Sequence, residues 1–506
     1  GIFASRISAV CDEMGAVLRR TAFSPNIRDR LDYSCAVFDP HGHLCAQAAH
    51  IPVHLGSMAH AMADLVRLHQ WRPGDMLVLN DPFQGGTHLP DVTLVAPVFV
   101  QQRCVGFVAN RAHHADIGAD SPGSMPLARR LEEEGLLIAP TLLLEGGRLR
   151  RSVLEAIIAA THDAAITEGD FSAQISANQA GIRRLVELVG ALGVDRYLSA
   201  LDQLNDYGER MARRALELIP DGRYEFEDLM DDDGQGTRDI PVRVAVEIEG
   251  SDVHVDFRGT AAQVEGNVNC PLSVCAAAVY YVFRCLMDPR TPACAGSFRP
   301  IDISAPAASL VHARPPAAVA AGNVETSSRI VDTVLGALAQ AIPGEVAAAS
   351  QGTMNNLAMG ARTGPREWDY YETIGGGMGA GRDGGGLDAV QTHMTNTLNT
   401  PIEVLESNYP LRIRRYAIRR GSGGSGARSG GDGLIREYEF LAEAQVTLLT
   451  ERRRRAPWGL QGGADGAPGV NRFNGAVLPP KISLAVAPGD RLAIETPGGG
   501  GYGEPS

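Results

Sequence analysis

Three glycine blocks in the last third of the chain limit what that third can become. They are YYETIGGGMGAGRDGGG (370–386), GSGGSGARSGGDG (421–433) and TPGGGGYG (496–503). A glycine inside a helix or strand costs about 0.5–1 kcal/mol relative to alanine. Blocks this dense therefore read as loops with left-handed backbone positions, expected to order on a partner. Strand-like runs are interleaved with them, as in IREYEFLAEAQVTLLT (435–450), and no repeat of fixed period is present.

The rest of the chain carries ordinary periodicities. Residues 1–26 read as a helix stopped by Pro25. In LDYSCAVFDPHGHLCAQAAH (31–50) the turn sequence Asp39–Gly42 is flanked by paired strands. A second helix follows at 56–71. Strands follow at 76–80, 92–100 and 104–110, and Pro97 puts the middle one at an edge. Residues 150–220 are helical, and 220–260 alternate as strands. CAAAVYYVFRCLM (275–287) and RIVDTVLGALAQAI (329–342) read as two more helices. At 506 residues one core has stopped growing, so several domains are expected. The expectation is a mixed α+β, multi-domain chain in four parts. These are an antiparallel-rich metal-binding part (1–150), a helical segment (151–220), a mixed part (221–350) and a glycine-rich, β-rich part (351–506).

A net charge of −13 argues against a nucleic-acid or anionic-membrane surface. No apolar run approaches the roughly 18 residues of a membrane span. The one basic run, Arg452 to Arg455, reads as a solvated or partner-facing face. The eight cysteines form no CxxC pair, and several lie in apolar runs. They read as buried free thiols, so a cytoplasmic location is expected, and no signal-peptide pattern follows Gly1. Of the 46 basic residues only Lys481 is a lysine. It follows two prolines, which excludes a Walker-type phosphate loop and leaves no plausible biotinyl or Schiff-base lysine.

The stretch NDPFQGGTHLPDVTLVAPVF (80–99) sits between strands and holds two aspartates, a histidine and two adjacent glycines. If 92–100 and 104–110 form a hairpin turning at 101–103, opposed residues sum to about 204. Asp91 then faces 112–114, within ANRAHHAD. His113 and His114 point to opposite faces, so only one shares Asp91's side. His88 lies three residues before Asp91. The same reasoning on the first hairpin puts Asp32 near His50 and not far from His54. Two imidazoles with one or two carboxylates suit Mn, Fe, Zn or Mg. The plainer alternative is that Asp81 and Asp91 cap turns and the histidines merely end a strand.

Other stretches carry weaker signals. GAGRDG (379–384) matches a dinucleotide fingerprint without a following helix, which leaves a loop or a backbone-amide nest for a phosphorylated intermediate. In NVETSSR (323–329) Glu325 or Arg329 binds substrate, or Thr326 or Ser327 caps a helix. Asn396 and Glu403 line a cleft or a subunit contact. No GxSxG elbow is present.

RTAFSPNIRDRLDYSCAVFD, AQAAHIPVHLGSM, LNDPFQGGTHLPDVTLVAPVF and ANRAHHADIG together resemble the hydantoinase B/oxoprolinase family. So do GNVETSSRIVDTVLGAL and ETPGGGGYG, and the likeness runs over nearly the whole chain. The resemblance implies a B-type subunit in a hetero-oligomer. A separate hydantoinase A-like subunit would bind ATP and phosphorylate the substrate, while this chain would carry a divalent metal. The implied ligands are Asp32, His88, Asp91 and His113. His113 is preferred to His114 by spacing, and Asp32 to Asp29 by its DYS context. Asp32, Asp91 and His114 are the expected catalytic residues. The implied reaction is ring opening of a small cyclic amide such as 5-oxoproline, a hydantoin or a lactam. The alternatives are a subunit of a biotin-independent, ATP-dependent ketone carboxylase of the acetone or acetophenone type, and a non-catalytic scaffold.

Overall fold

Residues 1–48, 51–363 and 367–505 are described in a computed structural model. Seven antiparallel strands organise the N-terminal part: β1 (Tyr33–Phe38), β2 (Leu44–Gln47), β3 (Met76–Leu79), β4 (Asp91–Val100), β5 (Arg103–His113), β6 (Thr141–Glu145) and β7 (Arg148–Leu149). Their order in the sheet is β2-β1-β5-β4-β3-β6-β7. β1 is buried at every position and β4 nearly so, as in a sheet covered on both faces.

The two coverings follow from side-chain alternation. Val92, Leu94, Ala96 and Val98 join a core with the helices Ile2–Thr21 and Ala164–Leu192. Ala36, Val95, Phe107 and Ala109 pack on the other side against Leu55, Met58 and Met62 of the helix Pro52–Leu65. Polar residues in phase with this second set face the helix Pro52–Leu65 too. They are Asp32 and Ser34, Asp91 and Thr93, and Arg111 and His113.

A second core lies between the helices Leu272–Leu286 and Ser327–Ala341 and a four-stranded sheet. That sheet contains Gly222–Asp232, Arg238–Glu249, Asp252–Asp256 and Ile301–Ser304, the last pairing in parallel. Two more sheets follow, of four and five strands, and share a third core around Leu357, Tyr370, Tyr438 and Leu492. The fold is mixed α+β with several antiparallel sheets, as expected. Among the described residues no helix is long and apolar enough to cross a membrane.

The glycine blocks are ordered on one another. Gly377 N donates to Pro497 O (2.9 Å), Gly431 N to Met378 O (2.8 Å) and Gly499 N to Gly431 O (2.9 Å). A Cβ at Gly431 or Gly499 would overlap the main chain of Leu387 or Met378. Side-chain-free backbone lets these segments pack closer than strands can, so they stack as main chain without forming a ladder.

Several local expectations are corrected. Pro25 opens the short helix Pro25–Arg28, because its fixed φ suits a first helical position. The second helix is Pro52–Leu65, with Pro52 again at its start. β4 is central, yet β3 pairs only with Thr93–Val95, so Pro97 lies beyond its end. The basic run is half buried. Arg452 pairs with Asp228 (2.7 Å) and Asp332 (2.6 Å) and is 1% exposed. Arg454 and Arg455 are the exposed pair of the run, both beside Asp239. Acidic residues of the strand Gly222–Asp232 draw the run inward. Lys481 is likewise buried against Glu451 (2.6 Å). The eight cysteines are free, and six are buried.

Candidate metal centre

The loop between β3 and β4 is shaped by its own polar residues. Asn80 donates to Leu89 O and Leu136 O (both 2.9 Å) and accepts from Ile138 N (2.7 Å). Asp81 accepts from Phe83 N (2.9 Å) and Gln84 Nε2 (2.7 Å), the turn-capping role. Gly85 takes a left-handed φ of 106°, and a Cβ on Gly86 would strike the carbonyls of Asn80 and Asp81. The chain is thereby folded back so that His88 and Asp91 end on one side.

Asp91 is no turn cap. Its Oδ1 lies 3.1 Å from His88 Nε2 and 3.1 Å from His113 Nδ1. Its Oδ2 lies 3.2 Å from His54 Nε2 and accepts from Thr87 Oγ1 (2.7 Å) and Asn323 Nδ2 (3.2 Å). The β4–β5 register sets Asp91 opposite His113. One ligand atom from each of His88, Asp91 and His113 lies within 4.8 Å of the others, and all three residues are buried. Burial alone would raise the Asp91 carboxyl, but His88, His54 and His113 around it hold it well below the usual range. Burial pushes the His113 imidazole below its ordinary value.

Asp32 borders this group. Its Oδ1 is 4.0 Å from His54 Nε2 and its Oδ2 is 3.9 Å from Arg30 Nη1. Asp29 turns away to Arg28 (3.1 Å). His50 lies outside the described residues. His114 falls on the opposite face of the sheet. Its Nε2 meets Gln174 Oε1 at 2.9 Å and its ring packs on Phe171, so the structure does not bring it to Asp91. Strand alternation separates the two adjacent histidines.

The donor set fits a divalent cation. His88 Nδ1 lies 3.1 Å from the carbonyl of Ala320, which can only accept, so this nitrogen carries the proton. Nε2, 3.1 Å from Asp91 Oδ1, then either gives its lone pair to a cation shared with the carboxylate or, in the charged ring, donates to that carboxylate. Among the described residues His88 Nε2 and His113 Nε2 are also buried without a hydrogen-bond partner.

A second group, Asp116, His162 and Asp369, is differently committed. Asp116 accepts from Gly118 N (3.0 Å), His162 Nδ1 (3.1 Å) and Asp163 N (3.1 Å). Asp369 takes a two-pronged bond from Arg362 (2.6 and 2.8 Å) and one from Gly123 N (2.7 Å). Its lone pairs are spent on structure.

The remaining candidates resolve individually. In GAGRDG the amides of Gly379, Ala380 and Gly381 are taken by Ser350 Oγ, Gly500 O and Gly384 O, so these three are not available to an anion. Neither Thr326 nor Ser327 caps a helix, since the chain enters Ser327–Ala341 through a π-helical turn, Gly322–Thr326. Arg329 is engaged by Glu451 (3.0 Å). Glu325 is fully buried behind the site. Asn396 lines a cleft with Tyr281 and Arg284, and Glu403 is exposed on a short helix. His54, Thr87 and Asn323 are the contacts of Asp91 that the candidate ligand set omitted. For His54 the signal was its place one turn into a helix covering Asp32.

A family model for hydantoinase B/oxoprolinase matches residues 1–505. The chain is 39% identical over 540 residues to 5-oxoprolinase 1 of Arabidopsis thaliana, covering 99% of this chain but 41% of that protein. It is 33% identical over 524 residues to a protein assigned as the B-type chain of a D-/L-hydantoinase in Pseudomonas sp. (strain NS671), covering 98% and 88%. Among solved structures, an ATP-dependent caprolactamase from Pseudomonas jessenii superposes with a TM-score of 0.93 at 28% identity, over 99% of this chain and 90% of that one. An acetone carboxylase in nucleotide-free form superposes at 0.89 with 17% identity, over 99% and 75%, a likeness of fold.

Proposed function

The chain belongs to the hydantoinase B/oxoprolinase family, and from that premise we propose that it is the metal-bearing, B-type subunit of an ATP-dependent cyclic-amide hydrolase. The observation that carries the proposal is the buried His88–Asp91–His113 group, whose ligand atoms converge within 4.8 Å of one another. Asp32, His88, Asp91 and His113 would hold the cation. When bound, it supplies Lewis acidity toward an amide carbonyl or its phosphorylated form.

The residues around it have definite tasks. Thr87 and Asn323 hold the Asp91 carboxylate in one orientation. The Ala320 carbonyl fixes the His88 tautomer. Asp32, at the edge of the group beside His54, would orient a water for attack. His114 supports the Gln174 side chain from the far face and has no direct part in the reaction.

ATP handling is assigned to a separate hydantoinase A-like subunit. The lone lysine is buried against Glu451, and no phosphate loop is encoded. The match to a B-type hydantoinase chain of similar length supports a two-chain enzyme. This chain spans 41% of the plant relative, 5-oxoprolinase 1. The substrate is a small cyclic amide, such as 5-oxoproline, a hydantoin or a lactam. Free thiols fit a cytoplasmic setting.

The test is ATP-dependent ring opening by this chain with an A-type partner, assayed on those three substrates. Activity should need both chains, and full activity from this chain alone without ATP overturns the reading. The acetone carboxylase likeness in fold motivates one second assay. Uptake of labelled bicarbonate into a ketone would replace the hydrolase by a carboxylase subunit. An active complex with no metal would leave the chain a scaffold.

A further inference from the structure

One short π-helical turn touches the metal centre from two directions. Gly322–Thr326 lies between the Asp91 loop and the strand Asn356–Ala361. From one side of the turn, Asn323 Nδ2 donates to Asp91 Oδ2 (3.2 Å). From the other, Glu325 Oε1 accepts from Asn356 Nδ2 (2.6 Å) and Met354 N (2.8 Å). Asn356 Oδ1 in turn accepts from the Tyr371 hydroxyl (2.6 Å). The Tyr371 ring stacks on His113, with centroids 4.4 Å apart and planes 17° apart. His113 closes the circuit on Asp91.

Each link is buried, with Asn323 3% exposed and Glu325 fully enclosed. Asn323 Oδ1 has no hydrogen-bond partner among the described residues. An ordinary helical start would meet its polar needs locally. A π-turn widens the helix and sits disproportionately at functional sites.

We infer that Asn323 and Glu325 are positioning residues of the metal centre. Asn323 sets the Asp91 carboxylate directly, and Glu325 sets the His113 ring plane through Asn356 and Tyr371. The inference rests on the metal-centre reading above. It adds a second set of contacts, drawn from residues more than two hundred positions away from Asp91 in sequence. Outer partners of this kind typically change metal affinity 10–100-fold when lost.

The test is titration of metal-free protein with Mn(II) or Zn(II) alone, followed by calorimetry, with thermal melting of the metal-free protein as the folding control. Asn323→Ala, Glu325→Ala and Tyr371→Phe should each weaken binding by about tenfold or more. Glu325→Gln keeps an acceptor oxygen and should bind within a few-fold of wild type. Tyr371→Phe retains the stacked ring and the buried shape, so it reports even if an alanine variant fails to fold. Folded variants that bind metal as tightly as wild type overturn the inference and leave the metal-centre reading intact. A wild-type protein that binds neither metal overturns both.

Discussion

Asp91 and His113 stand opposite each other on β4 and β5, with 3.1 Å between Oδ1 and Nδ1. The pairing is held by the two-residue turn Gln101–Gln102, both at left-handed φ (50° and 64°), a hairpin geometry that matches strand twist. His113→Ala should therefore lose bound metal, while His114→Ala keeps it. Elemental mass spectrometry on the purified variants decides this. His114→Ala should cost about 1–3 kcal/mol of stability, because it leaves Gln174 Oε1 buried without its partner.

That register was readable from the sequence because a hairpin turn and a period of two are local properties. Asp91 facing 112–114, with only one of His113 and His114 on its side, follows from counting residues; the one-residue register that selects His113 is set by the turn. Asp32 in its DYS context stands at the edge of the same group. Asn323 was not readable, because no local period links it to Asp91. The burial of Arg452 was hidden for the same reason. Its partners Asp228 and Asp332 lie on a strand and a helix far away in sequence. The stacking of the glycine blocks also escaped, since glycine content signals what a segment cannot be and leaves its neighbours unnamed.

Glu134 gives the fold a pH dependence. Its Oε1 accepts from Val319 N and Ala320 N (both 2.9 Å), one peptide from the carbonyl that orients His88. Burial pushes its carboxyl up to about 8 from an ordinary 4.5. The folded state then holds the proton more tightly than the unfolded one. The stabilisation is full below about 4.5 and is lost as pH rises toward about 8. Urea unfolding should show wild type losing a few kcal/mol relative to Glu134→Gln across that window.

Removing Arg452 should be costly. Arg452→Ala strands Asp228 and Asp332 without their shared guanidinium, and breaking a buried pair in this way costs about 3–5 kcal/mol. Arg455→Ala, at the exposed end of the same run, should change stability by under about 1 kcal/mol. Thermal melting of the two variants side by side makes the comparison.

Gly499→Ala places a methyl group into the main chain of Met378 and should destabilise by about 1–3 kcal/mol or more. Gly384→Ala, whose added Cβ meets nothing within 4 Å, is the matched control and should be near neutral. Equal melting temperatures for the two would contradict the close packing of the blocks.

The glycine stack also has a consequence in time. Its bonds join Gly377 to Pro497 and Gly431 to Gly499, so the earlier blocks gain these partners only after the last one exists. During synthesis the segments 375–387 and 421–431 can bond to each other, as Gly431 N does to Met378 O, but they lack their remaining partners until the last block leaves the ribosome. The C-terminal sheets can begin to form in that interval, but the stack closes only after translation has passed residue 503. Biogenesis of this region is therefore gated by its final glycines, and slowing or stalling translation there should prolong a protease-sensitive nascent chain.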